Sequence, residues 1–159
     1  MKVLALDSSG LVASVALVED GEEEAVLLAE YTINYKKTHS QTLLPMLDEI
    51  VKMTELDLDT IDAVATAAGP GSFTGLRIGS ATAKGLGFAL NKPLVAVPTL
   101  DALAFNLYGT ENLICPLMDA RRNQVYTGIY EFHQGRLQRL MEPAAMDIME
   151  VAEKRFREM

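Results

Sequence analysis

The residues of this chain best suited to chemistry lie in two short stretches. Val3-Leu4-Ala5-Leu6 is a continuous apolar run ended by Asp7-Ser8-Ser9-Gly10, which reads as a strand followed by a turn. A carboxylate at the end of an interior strand can hold a metal-bound phosphate while the turn amides take phosphate oxygens. Asp7 can instead close an Asx-turn on its own backbone. Ser8 and Ser9 have no histidine nearby in sequence to activate a hydroxyl. The second stretch is Gly69-Pro70-Gly71-Ser72-Phe73-Thr74-Gly75-Leu76-Arg77-Ile78-Gly79, which follows a short apolar strand and opens a helix. Gly69, Gly71 and Gly75 permit close backbone approach and Pro70 fixes one φ. Amides around Ser72, Phe73 and Thr74 would face an anion at the helix N-terminus. No Gly-Lys-Ser/Thr follows and the dinucleotide spacing is missing, so the loop is either a phosphate cradle or a plain tight turn. Asp7, Ser8, Gly69, Gly71, Ser72 and Thr74 are the candidate phosphate contacts.

The helix after the loop carries a different signal. Gly75, Gly79, Ala83 and Gly87 recur every fourth residue and line one face, which Ser80 and Ala81 widen. Each helical glycine costs about 1 kcal/mol relative to alanine, so this ridge implies a backbone that something approaches closely. That something is either the chain's own sheet or first helix, or a helix of another molecule. Leu43, Leu44, Met46, Leu47, Ile50, Val51 and Met53 mark the first helix. Their spread beyond one narrow stripe favours the intermolecular version. Contact with the chain's own sheet or first helix is the commoner arrangement; in the intermolecular version Leu43, Leu47, Ile50, Gly75, Gly79, Ala83 and Gly87 are the expected interface residues.

The remaining polar residues offer little chemistry. His39 has no partner imidazole at helical spacing, His133 sits near a turn, and Lys36-Lys37 and Arg121-Arg122 are short basic pairs that read as solvated charge. The lone Cys115 excludes a disulfide framework and an all-cysteine zinc site.

These stretches must be positioned by a modest, ordinary chain. It has 159 residues, 49% of them apolar, with 14 basic and 22 acidic side chains and a net charge of −8. A chain this long can bury about two-thirds of its unfolded surface without staples. The acidic balance argues against gripping a phosphate backbone unaided. No segment approaches the ~20 apolar residues of a membrane span. Asp7 cuts the N-terminal apolar run short of a signal-peptide core of about 7–15 residues, so a cytoplasmic protein is expected.

Strands are expected over Val3–Leu6, Val12–Val18, Val26–Ile33, Ala63–Ala67 and Leu94–Val97. Helices are expected from Ser40 or Thr42 through Met53, from the glycine loop to Leu90, and from Pro98-Thr99 through Leu107. Pro45 fits the first turn if Thr42 is the cap. The acidic run Glu22-Glu23-Glu24 reads as a solvated strand edge. After Tyr108-Gly109-Thr110 the opening pattern recurs: Leu113 to Asp119, a polar turn at Arg121-Arg122-Asn123, then a strand over Gln124–Phe132. Residues 144–158 read as a helix. The organisation implied is one lobe over 1–109 and the start of a second, incomplete one over 110–159.

Leu4-Ala5-Leu6-Asp7-Ser8-Ser9, the Gly69–Gly79 stretch and Asp119-Ala120-Arg121-Arg122-Asn123-Gln124-Val125-Tyr126 resemble, in this order, segments of the TsaB (YeaZ) family of tRNA threonylcarbamoyladenosine biosynthesis proteins, over essentially all 159 residues. The resemblance implies an α/β, actin-like (sugar kinase/heat-shock ATPase) fold built from ribonuclease-H-like lobes, each with an antiparallel meander plus parallel strands. It also implies a non-catalytic scaffold that dimerises with the paralogue TsaD and joins the ATPase TsaE in a larger complex. Alone, such a protein is expected to homodimerise. The family's dimer contact uses the first two helices, about residues 39–53 and 73–90 here. TsaD carries a His-x-x-x-His metal pair where this chain has Thr99 and Leu103. No metal and no cofactor are therefore expected, the phosphate contacts would be vestigial, and the net charge of −8 leads to no direct tRNA binding being expected. The alternative is an ATP-binding enzyme of the same fold. The older glycoprotease label has no support, since no His-Glu-x-x-His or serine triad is present.

Overall fold

The computed structural model describes residues 1–21, 25–35 and 38–151. Glu22-Glu23-Glu24, Lys36-Lys37 and the end of the expected C-terminal helix therefore lie outside the described residues. The chain divides between Val97 and Pro98 into two compact units.

The first unit is a five-stranded sheet with helices on one face. β1 (Lys2–Asp7), β2 (Ala13–Asp20) and β3 (Ala25–Ile33) form an antiparallel meander, while β4 (Ala63–Ala67) and β5 (Leu94–Val97) run parallel to β1, giving the order β3-β2-β1-β4-β5. The pairing sets Leu4 beside Leu17 and Val64, and Leu6 beside Val15. Strand alternation sends all five to one face, where they are buried with Leu43, Met46, Leu47 and Ile50 of α1 (His39–Thr54) and Ala83 of α2 (Phe73–Leu90). Burial of each such leucine or valine contributes about 1.5–3 kcal/mol, so this layer is the main stabilising feature of the unit.

α1 begins earlier than the sequence suggests. Its N-cap position is Thr38, Ser40 and Thr42 are already helical, and Pro45 lies inside the helix rather than in its first turn. The early start lets His39 reach the β1–β2 turn and puts Thr42 and Leu43 in the core. Pro45 is tolerated because it and Gln41, whose carbonyl loses its usual donor, both lie on the exposed side.

The second unit contains α3 (Thr99–Phe105) and an antiparallel meander of β6 (Leu117–Arg121), β7 (Gln124–His133) and β8 (Arg136–Asp147). Leu100, Ala104, Ile114 and Tyr130 form its core. β8 corrects the expected helix: residues 144–147 are strand, and only from Ile148 does the backbone turn helical. Pro143 is accommodated because β8 is an edge strand, where a missing amide costs no ladder bond.

Candidate functional site

The site is built where β1 ends. Asp7 is exposed, and its Oδ1 accepts the Ser9 amide at 2.7 Å, which is the Asx-turn geometry. Ser8 and Ser9 are buried. The Ser8 hydroxyl donates to the Gly75 carbonyl at 2.8 Å, and the Ser9 carbonyl accepts the Ser72 amide at 2.6 Å. His39 Nε2 lies 2.9 Å from the Gly10 carbonyl oxygen. Three consecutive turn residues are thus tied to the starts of both helices. Ser8 is a structural donor in this arrangement.

The small-residue ridge is turned inward, which corrects the expected interface. Gly75, Gly79, Ala83 and Gly87 are the buried residues of α2. A Cβ on Gly75 would overlap the Ser8 carbonyl oxygen, and one on Gly79 the Ser8 hydroxyl. On Gly71 it would sit 2.5 Å from the Ser9 carbonyl oxygen, and on Gly87 2.7 Å from Leu94 Cδ2. The ridge is small because the chain's own β1 turn and β5 lie against it. Leu43, Leu47 and Ile50 are likewise interior, at 1%, 6% and 3% exposure. None of these seven residues is available to another molecule while the unit stays folded.

The loop also differs from an open phosphate cradle. Gly69 has φ 101°, a conformation glycine adopts readily, and leads to Ser72, whose hydroxyl caps α2 by accepting the Gly75 amide at 3.2 Å. With the Ser72 amide committed to Ser9, only Phe73 and Thr74 supply free first-turn amides. Among the described residues, no three His, Cys, Asp or Glu side chains converge on a metal-sized space.

Sequence reasoning passed over the outer side of α2. Arg77 stacks on Phe73, with its guanidinium carbon 4.1 Å from the ring centroid. Arg77, Ser80 and Lys84 border a cleft of about 530 Å³ that also takes in Thr66 and Ala67 of β4 and Ala96 of β5. The signal was present in the composition: α2 carries two cations and no acidic residue, in a chain whose net charge is −8.

In the second unit, Arg139 grips Asp101 with two hydrogen bonds of 3.0 and 2.5 Å. Tyr130 is fully buried, and no hydrogen-bond partner meets its hydroxyl. Burial, reinforced by the nearby Asp101 carboxylate, pushes that hydroxyl up to about 12. Thr99 is buried with an unpartnered hydroxyl and Leu103 is 38% exposed, so the two do not share an environment.

A mixed sheet in the order 3-2-1-4-5, with two helices on one face and a glycine-rich loop opening the second, defines a ribonuclease-H-like lobe of the actin-like class. Relatives narrow this class. A family model described as TsaD, tRNA N6-adenosine threonylcarbamoyltransferase, matches residues 26–158. The chain is 37% identical over 141 residues to the tRNA threonylcarbamoyladenosine biosynthesis protein TsaB of Bacillus subtilis strain 168, covering 89% of this chain and 60% of that one. It is 30% identical over 161 residues to TsaB of Escherichia coli K12, covering 100% of this chain and 68% of that protein. The structure of YeaZ from Pseudomonas aeruginosa superimposes with a TM-score of 0.77 at 34% identity, over 92% of this chain and 67% of that one. The chain belongs to the TsaB (YeaZ) family. It spans between 60% and 68% of the length of these two TsaB relatives. No helix among the described residues is long and apolar enough to cross a membrane.

Proposed function

We propose that this chain is a non-catalytic scaffold subunit in threonylcarbamoyladenosine modification of tRNA, acting in the cytoplasm by pairing with a TsaD-type paralogue. One observation carries the reading: the turn and loop that would hold a nucleotide are closed on each other through Ser9–Ser72 and Ser8–Gly75, with no converging ligand set beside Asp7 among the described residues. A site that spends its donors on itself has few left for a phosphate. The exposed sides of α1 and α2, with Leu44 at 53%, Phe73 at 71% and Phe88 at 91% exposure, offer the partner apolar surface that the buried ridge does not. The TsaD-type subunit supplies the reacting groups and the tRNA contact. A TsaE-type ATPase completes the assembly, and the chain alone forms a homodimer.

Mixing the chain with the paralogue and following sedimentation velocity tests the reading. A stable complex, with no heat when magnesium and ATP are titrated into the chain alone, is the expected result. ATP binding that Asp7→Ala abolishes would instead support an ATP-using enzyme and overturn it.

A further inference from the structure

We propose that the outer edge of β3 is a self-pairing surface. Residues 29–33 of two copies of this chain join antiparallel about a two-fold axis at Tyr31, running the two five-stranded sheets into one. This rests on the homodimer included in the reading above and names its surface, and it makes no use of α2.

Among the described residues β3 ends the sheet order and is paired with β2 alone, so its second row of amides and carbonyls faces outward. Proteins blunt such an edge with a bulge, a proline or a lysine. The first half of β3 has a bulge: its register against β2 shifts between Leu17 and Val18, which leaves Leu28 without an opposite residue. Ala29, Glu30, Tyr31, Thr32 and Ile33 have none of these devices, keep a regular register and include one charge, Glu30. An edge of this kind fits an extended segment of matching pattern, and a second copy supplies one of known sequence. An antiparallel pair centred on Tyr31 matches all five residues and is self-complementary about a two-fold axis. It sets Glu30 of each copy opposite Thr32 of the other, the same two groups that already bond at 2.6 Å within the strand. A pair centred on Glu30 would instead oppose two carboxylates. Tyr31 lies beside Val15, on the side of the sheet that α1 covers, and is 41% exposed. There it borders a cleft of about 520 Å³ whose walls include Ile33, Tyr35, Pro45 and Met46. The two Tyr31 rings meet at the mouths of these clefts as an aromatic cross-strand pair. The flanks agree in charge. Glu22-Glu23-Glu24 precede β3 in the sequence and Lys36-Lys37 follow it, so antiparallel pairing runs the acidic flank of each copy toward the basic flank of the other. A parallel partner would set like against like.

The test follows the full chain alone by sedimentation velocity over a series of concentrations. A five-residue strand pair is a small interface, below the ~1,200 Å² of standard complexes, so a weak, reversible dimer is expected. Tyr31→Lys puts two cations face to face at the axis and should weaken the dimer about tenfold, while Tyr31→Phe should leave it intact. Lys36→Glu combined with Lys37→Glu should weaken it as well, and circular dichroism checks that every variant is folded. In a Cys115→Ser background, Tyr31→Cys should give a disulfide-linked dimer on mild oxidation. Val26→Cys, five residues from the axis, and Leu44→Cys, on the exposed side of α1, should not. Crosslinking through Leu44→Cys alone, or a dimer that folded Tyr31→Lys leaves unchanged, would overturn the edge pairing and keep the scaffold reading. A chain that stays monomeric at every concentration would overturn the pairing and the homodimer together. The scaffold reading is judged separately by paralogue binding, in which Tyr31→Lys should match the parent chain.

Discussion

Ser8 and Gly79 are in such close contact that a methyl group on the glycine would overlap the serine hydroxyl. That hydroxyl is already engaged with the Gly75 carbonyl one turn earlier, so Ser8 works as a peg seated in a groove that only glycines leave open. The groove explains why α2 carries glycine at positions 75 and 79, and it assigns their cost in helix propensity to the interior of the fold.

A graded glycine series should follow. Gly75→Ala meets the Ser8 backbone carbonyl, which cannot rotate away, and should destabilise by about 2–3 kcal/mol. Gly79→Ala meets a side-chain hydroxyl that can turn aside at the loss of one hydrogen bond, and should cost about 1 kcal/mol. A methyl group added at Gly85 would have nothing within 4 Å, so Gly85→Ala should stabilise by about 0.5–1 kcal/mol. Urea denaturation of the three variants orders them. Equal effects at Gly75 and Gly85 would contradict the groove.

Asp7 invites a second comparison. If its work is to close the turn through the Ser9 amide, an asparagine oxygen can do the same. Asp7→Asn should therefore stay within about 0.5 kcal/mol of the parent, whereas Asp7→Ala should lose about 1 kcal/mol. A metal-binding carboxylate would behave differently, with both changes abolishing a magnesium-dependent stabilisation. Thermal unfolding with and without magnesium separates the two roles. Asp119 repeats the geometry in the second unit, where its Oδ1 accepts the Arg121 amide at 2.7 Å. The recurring strand–Asp–turn pattern thus has a local backbone cause at both places.

The strands at Ala63–Ala67 and Leu94–Val97 were legible because each is a short apolar run bounded by turn residues. β8 was not. Arg136, Arg139 and Glu142 interrupt its alternation, Pro143 argues against any strand, and Ala144-Ala145-Met146 suits a helix equally well. Its place at a sheet edge, which periodicity does not encode, reconciles these features. The four-residue ridge on α2 showed which face needs close contact but not what makes it. A serine turn 67 residues earlier in the chain and a foreign helix ask for the same glycines. Asp7 posed a similar ambiguity, since an Asx-turn and a metal site want the same residue, and the 2.7 Å contact to Ser9 shows the turn formed on one of its two carboxylate oxygens.

Pro45 offers a test on α1 that is independent of the glycine groove. It sits inside the helix on the exposed side, with no amide to give and a ring crowding the preceding turn. Pro45→Ala should restore a helical hydrogen bond and raise stability by about 1–2 kcal/mol, part of the gain being offset by a freer unfolded chain. An unchanged or lower urea midpoint would mean that the ring makes packing contacts worth as much as the missing bond.

Tyr130 makes the stability of the second unit sensitive to alkali. Its hydroxyl is held protonated by burial to about 12 in the folded chain, against an ordinary value of 10.0 in the unfolded one. Between these values the unfolded chain releases a proton that the folded chain keeps. Stability from this group is complete below pH 10 and falls as pH rises through about 12. Tyr130→Phe removes the proton and also an unpartnered buried hydroxyl. At neutral pH the variant should be at least as stable as the parent, because no hydrogen bond is lost. Above pH 10 its advantage should widen steadily. Urea unfolding of both proteins across the alkaline range, followed by circular dichroism, measures that difference directly. A constant gap between them would show that the Tyr130 hydroxyl has access to water in the folded chain.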